Sequence, residues 1–311
     1  MIREVEKNDR VYLIDNGSTD GSIEYVAKHF PGVKIIKFET NLGFALAYNL
    51  AVAQVSEEIL VFLNNDVEVD EGWLAQLKVS RLKSAGRTII LGSKILLYDN
   101  RNVINHGGGS LTPIGAGIDN EYMRKDTRRA EKPRFVGCVS GASMMISRQA
   151  FQDLGGFDPS FFAYFEDVDL CWRAWLEGYG VLYQPSSRVY HKLGSTLGPR
   201  LTAGRVFLGE RNQLQALLTN LELLNVLTGL LASFLYNVIR ITRLLRASKP
   251  MTALAILRGD WWVLKNLSGV TSKRMHVQQR RKVSDRFLLR YGLMIGLADG
   301  IREFIRISDF L

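Results

Sequence analysis

Five apolar residues, Ile-Leu-Val-Phe-Leu at 59–63, open directly onto Asn64-Asn65-Asp66, and this junction constrains the fold more than any other stretch of the 311-residue chain. An unbroken apolar run of that length, without alternation, belongs to a strand covered on both faces, as in a parallel sheet between helices. Its polar end would put a carboxylate and two amides at the carboxyl edge of the sheet, where open α/β folds bind ligands. A carboxylate with one open side there suits a hard divalent cation that also takes diphosphate oxygens. An Asx-rich turn is the plainer account of Asn64, Asn65 and Asp66, and turn statistics alone favour it.

The segments before it repeat a strand, turn and helix. VYLI at 11–14 runs into DNGSTDGS. Asp15 ends the strand, Gly17 relaxes the turn, and Ser18, Thr19 and Asp20 can cap a helix at 23–30. Capping explains residues 18–22 but not Asp15. A strand at 33–38 leads into NLGFALAYNLAVAQ at 41–54, a loop entering a helix whose small residues, Gly43 among them, permit close approach of a ligand or of another backbone. Alanines packing a helix on a sheet explain Ala45, Ala47 and Ala51 equally well; Asn41 and Asn49 fall outside that explanation.

Further on, the pattern predicts a helix at 71–82, a strand at 88–98 and a polar, Gly-rich loop at 100–126. His106-Gly107-Gly108-Gly109 in that loop neither follows a predicted strand nor opens a helix, so it is not a phosphate cradle. An apolar stretch at 135–147, a short helix, a Gly-Gly stop and a turn at Asp158-Pro159 then deliver FFAYFEDVDLCWR at 161–173. Here Glu166, Asp167 and Asp169 stand between an aromatic run and an apolar helix. Burial and neighbouring like charge both disfavour ionisation, which is how a carboxylate is kept ready to take a proton. On a helix, Asp169 can pair with Arg173, leaving Asp167 on another face, towards a cleft. Helix starts also favour acids for their own sake. Short strands at 180–184 and 189–191 follow, the second ending in His191. A lone histidine is more often structural, yet one at a strand end in the same cleft can complete a metal site begun by Asp66.

Hydrophobic residues make up 47% and charged residues 23%, an ordinary globular composition with room for a large domain and an appendage. Cys138 and Cys171 lie in apolar segments and read as buried thiols in a reducing compartment. The opening MIREVEKNDR is polar and has no apolar core, which predicts a protein on the cytoplasmic side. Charge is asymmetric: residues 240–311 hold 15 Lys and Arg against 5 Asp and Glu, although the whole chain carries only +9. Residues 223–239 are uncharged and mostly apolar, at the short limit for a membrane span. Arg240, Arg243 and Arg246 follow at helical spacing, then Trp261-Trp262 and a basic run at 273–282. That pattern suits helices lying peripherally on an anionic membrane surface. A helical lid is the alternative; nucleic acid is disfavoured, because no recognition motif accompanies the charge.

Taken together, DNGSTDGS, NLGFALAYN, FLNNDVEV, SGASMMISRQAF, GGFDPSFFAYFEDVDLCWRA and VYH resemble glycosyltransferase family 2, in the family's order, with most likeness to the branch of rhamnosyl- and galactofuranosyl-transferases. The resemblance implies an α/β, Rossmann-like A-type domain over residues 1–212 and a helical, basic, membrane-apposed region over 213–311. It implies inverting transfer from a nucleoside-diphosphate sugar to a surface-glycan or lipid-linked acceptor, with Mg²⁺ or Mn²⁺. By position, Asp15 would contact the base, Asn41, Gly43, Asn49, Asn64 and Asn65 would surround the donor, and Asp66 and His191 would hold the metal. Asp167 would be the catalytic base and Glu166 its neighbour. Asn64 stands where many members have an acid, and the absence of a QxxRW motif after His191 argues against a processive synthase. Family members carry a further strand and helix before DNGSTDGS, whereas ten residues precede VYLI here. The alternative expectation is therefore a catalytically idle scaffold or a partner subunit in a homo- or hetero-oligomer.

Overall fold

The computed structural model describes residues 4–83, 88–127, 131–192 and 202–308. Strands β1 (Tyr12–Asn16) and β2 (Lys34–Phe38) pair in parallel, joined by helix α1 (Ser22–His29). Helix α2 (Gly43–Val52) leads to β3 (Ile59–Leu63), β4 (Val67–Val69) and α3 (Trp73–Lys83). Next come β5 (Thr88–Leu97), β6 (Ile104–His106), β7 (Gly109–Leu111), β8 (Gly117–Asp119), β9 (Arg134–Phe135) and β10 (Ser143–Ser147). Helix α4 (Arg148–Asp153), a 3₁₀ turn (Pro159–Phe161), α5 (Glu166–Leu176) and β11 (Gly180–His191) complete the sheet region. The rest is helical: α6 (Ala203–Asn220), α7 (Leu223–Arg246), α8 (Pro250–Lys265), α9 (Leu267–Arg280), α10 (Asp285–Arg290) and α11 (Leu297–Ser308).

The main sheet runs β3-β10-β5-β11-β4, with β6 added on β5 and β9 on β11. β11 lies parallel to β5, and β10 is antiparallel to both β3 and β5. Side chains alternate across it, as the period of a strand requires. Met144 and Ile146 of β10 join Leu60, Phe62 and the α5 residues Trp172 and Leu176 in one core, while Met145 joins Leu91, Ile95 and the α3 residues Trp73 and Leu77 in another. The sheet thus has helices on both faces, but β3 corrects the expectation from its apolar run: it ends the sheet, pairs antiparallel with β10, and alternates between half-buried and buried residues, instead of lying inside a parallel sheet. β1 and β2 form a separate two-stranded sheet. Successive residues of β1 (Tyr12, Leu13, Ile14) and of β3 (Leu60, Val61, Phe62) line one cavity of about 2140 Å³. A void that touches consecutive residues of a strand runs along its edge, so among the described residues a gap separates the two sheets.

Four expectations change. The loop at 100–126 contains three-residue strands β6, β7 and β8, and the two strands expected at 180–191 are one, with a register shift between Gln184 and Arg188. The expected boundary at 212–213 falls inside α6, which is continuous. The apolar segment expected at 223–239 extends to a 24-residue helix, α7.

Candidate functional site

Strand ends bring the acidic residues to the cavity. β3 stops at Leu63, and the turn that follows is tied to the next layer by the Asn64 amide donating to Ala142 O at 3.2 Å and the Lys192 amide donating to Asp66 O at 2.9 Å. Asn64, Asn65, Asp66 and His191 therefore share one wall. His191 Nε2 lies 3.2 Å from Asp66 Oδ1. On the other side of the ring, Nδ1 is 3.0 Å from Asn105 Oδ1. An Nδ1–H donated to that amide oxygen would leave Nε2, which faces the Asp66 carboxylate, as the ring nitrogen able to ligate a metal. An imidazole nitrogen and a carboxylate oxygen side by side fit a divalent cation whose other positions are filled by diphosphate and water. They are two donors; among the described residues no group of three or more His, Cys, Asp and Glu side chains forms a complete protein cage.

The opposite wall is the amino-terminal turn of α5. Phe162, Tyr164 and Phe165 have φ of 61°, 70° and 72°, a conformation that side chains with a Cβ rarely adopt. This strained loop aims Glu166 and Asp167 at the cavity. Asp167 Oδ2 accepts from the Gly141 amide at 2.7 Å and Oδ1 from the Val168 amide at 2.8 Å. Burial raises its pKa, and although the two amides oppose this, the result stays above the usual carboxylate value. Glu166 is 7% exposed. Burial, then the Asp167 charge, pushes its carboxyl well above the ordinary range. As expected, Asp169 is taken by Arg173, at 2.7 Å. Tyr48 links the two walls: burial and then the charges of Glu166 and Asp66 raise its phenol pKa.

The remaining expected residues divide. Asn41 and Gly43 line the cavity. Asn41 Oδ1 accepts from Asn16 Nδ2 at 3.1 Å and from the Gly43 amide at 2.9 Å, tying the end of β1 to the entrance of α2. Gly43, at φ 77°, is needed because a Cβ there would meet the Phe162 carbonyl oxygen at 2.5 Å. Asn49 is a correction: its amide donates to Phe157 O at 2.7 Å and accepts from Phe157 N at 3.0 Å, a clasp outside the cavity lining. Asp15 is buried beneath its turn, with Oδ1 accepting from the Ser18 amide at 2.8 Å and Oδ2 enclosed without a hydrogen bond; its neighbour Asn16 is the residue that lines the cavity.

Sequence reasoning missed His106, Asp119 and Arg205, all of which line the same cavity. His106 Nδ1 is paired with Asp119. Arg205 Nε donates to Tyr164 Oη at 3.0 Å, placing a guanidinium against the strained loop. The signal for the histidine was its place beside three glycines, which the loop reading absorbed.

Helices on both faces of a mixed sheet, with acids and a histidine collected where strands end, match the A-type fold of solved glycosyltransferases. The solved structure of GalNAc-T7 with UDP, GalNAc and Mn²⁺ shares this fold, with a TM-score of 0.54 and 21% identity over 68% of this chain and 41% of that one. So does Staphylococcus aureus TarS 1-349 in complex with UDP-GlcNAc, at 0.50 and 18%, over 73% of this chain and 62% of that one. This chain therefore spans less than two thirds of either structure. The family model for glycosyl transferase family 2 matches residues 2–155. The chain is also 30% identical over 214 residues to an N-acetylglucosaminyl-diphospho-decaprenol L-rhamnosyltransferase of Mycobacterium tuberculosis, covering 61% of this chain and 69% of that protein. The chain belongs to glycosyl transferase family 2.

Proposed function

We propose that this protein transfers a sugar from a nucleoside-diphosphate sugar to a hydroxyl of a lipid-linked or surface-glycan acceptor, with inversion at the anomeric carbon and with a divalent cation, Mg²⁺ or Mn²⁺. The observation that carries the reading is that Asp167, a carboxylate with a raised pKa, shares one cavity with the Asp66–His191 pair. A sugar hydroxyl is a weak nucleophile until its proton leaves during attack, and Asp167 accepts that proton. The two backbone amides on Asp167 fix its carboxylate, so little reorganisation is needed at the moment of transfer. Glu166 beside it, whose carboxyl is pushed well above its ordinary range by burial and the Asp167 charge, resists adding a second negative charge near the approaching oxygen. Asp66 and His191 would hold the cation, which when bound supplies positive charge to the diphosphate. Arg205 adds a guanidinium on the α5 side of the cavity, against the loop that precedes Glu166. One displacement from the face opposite the leaving group inverts the centre. A lipid-linked acceptor is supported by the rhamnosyltransferase relative, whose name specifies a diphospho-decaprenol.

A second reading, an idle scaffold, is favoured by the gap between β1 and β3. Calorimetry with UDP, GDP and dTDP in the presence of Mn²⁺ separates the two. Binding that Asp66→Ala abolishes and Asp167→Asn preserves, with transfer lost in both variants, supports the transferase. Failure of all three nucleotides to bind supports the scaffold.

A further inference from the structure

We propose that α7 and α8 form an in-plane docking surface for an anionic lipid bilayer, with the outer stripe of α7 immersed among the acyl chains and basic residues on the headgroups. Helix α7 buries Val226, Gly229, Ser233 and Asn237, which recur every three or four residues on one face. The opposite face carries Leu224, Leu227, Leu231, Phe234, Leu235 and Val238, each 47–79% exposed. Helix α8 packs beside α7 and exposes Leu257, Trp261 and Leu264. Single exposed apolar residues need no explanation, but a stripe along about four turns of one helix with a second stripe on its neighbour marks an interaction surface.

Charge selects the occupant. Arg243, Arg246 and Lys249 are exposed at the carboxyl end of α7, as are Arg258 and Lys265 on α8. Trp261 stacks under the Lys265 ammonium, 5.5 Å from its ring centre. An apolar stripe edged by cations and tryptophan matches the interface of a negatively charged leaflet. A second copy of this chain would meet it with the same positive rim.

The buried face decides between lying and spanning. α7 is long and apolar enough to cross a bilayer. However, its inner side donates from Asn237 Nδ2 to Glu210 Oε1 of α6 at 2.6 Å, and Arg240 pairs with the same carboxylate. Crossing would either tear α7 from α6 and α8 or carry Glu210, Asn237 and Arg240 to hydrocarbon depth, which is costly for ionised groups. Lying in the plane keeps that network on the protein side.

The test is co-sedimentation of the full chain with vesicles of equimolar phosphatidylglycerol and phosphatidylcholine, compared with phosphatidylcholine alone. Binding to the anionic vesicles is expected, with a loss of about ten-fold or more in Leu231→Glu/Phe234→Glu and of about ten-fold in Arg243→Glu/Arg246→Glu, whose binding also depends less on salt. Both variants should keep the wild-type melting temperature, and neither touches the cavity, so nucleotide binding reports separately on the reading of function. The proposal is overturned if the wild type stays in the supernatant or if the Leu231/Phe234 variant still sediments. It is also overturned if that variant merely converts a dimer to a monomer, or if chain expressed in cell membranes resists extraction by alkaline carbonate, as a spanning helix would.

Discussion

At Asp167, burial raises the pKa while the amides of Gly141 and Val168 pull it down, and burial wins. Because the base must be ionised, activity should rise with pH along a limb displaced above the ordinary carboxylate range, and measuring kcat against pH checks this. Asp167→Asn should lower turnover by roughly 10²–10⁴-fold, the usual worth of a general base, and remove that limb, while nucleotide affinity is kept. Asp167, Asp66 and His191 were legible as candidates because each is a polar residue ending an apolar segment. Asn49 was a candidate because alanine packing left it unexplained, but its amide matches both groups of the Phe157 backbone, a pairing that composition does not encode. His106 was noticed beside its glycines but set aside with the loop, because a three-residue strand has no periodicity to set it apart.

Among the elements, α6 was the least readable. Its Glu210, Asn212 and Gln215 are polar and suggest a solvent face, yet they are 3%, 0% and 1% exposed. Glu210 is inside because it pairs with Asn237 and Arg240 of α7, and Asn212 and Gln215 because they serve the turn and loop ahead of α5. Asn212 Nδ2 donates to the carbonyls of Phe161, Ala163 and Tyr164 at 2.7–2.9 Å, and Arg211 donates to those of Ser160 and Phe161 at 2.8 Å. These bonds hold the positive-φ residues before Glu166 in place. Asn212→Ala should cost roughly 2–4 kcal/mol in urea unfolding, since buried carbonyls lose their donor, and should lower kcat more than nucleotide affinity. Where α8 meets α6, burial and the Glu210 charge push Asp260 up to about 6. A carboxyl with a raised native pKa contributes fully below its unfolded value, and that contribution is lost as pH rises through the native one. Asp260→Asn should therefore raise the melting temperature at about pH 8 and change it little near pH 4, as thermal scans across that window would show.

For the whole molecule, the sheet was legible from its apolar runs and the tail from its charge, but the return of the tail onto the sheet domain was not. The Leu111 amide donates to Leu293 O and the Ile295 amide to Leu111 O, both at 2.9 Å, and Lys273 pairs with Asp158 at 2.6 Å just ahead of the 3₁₀ turn. No local pattern encodes contacts so distant along the chain. A nucleoside diphosphate bound in the cavity with Mn²⁺ should stabilise the folded chain by about 2.7 kcal/mol at a hundred times its Kd. A thermal shift that EDTA cancels would register this. The grip of α6 and α9 on the stretch before α5 also bears on protein engineering. Chimaeras that exchange the carboxy-terminal third between relatives to alter acceptor choice would swap the splint beneath the proton acceptor too. Crossovers placed after Arg280 would leave that support native.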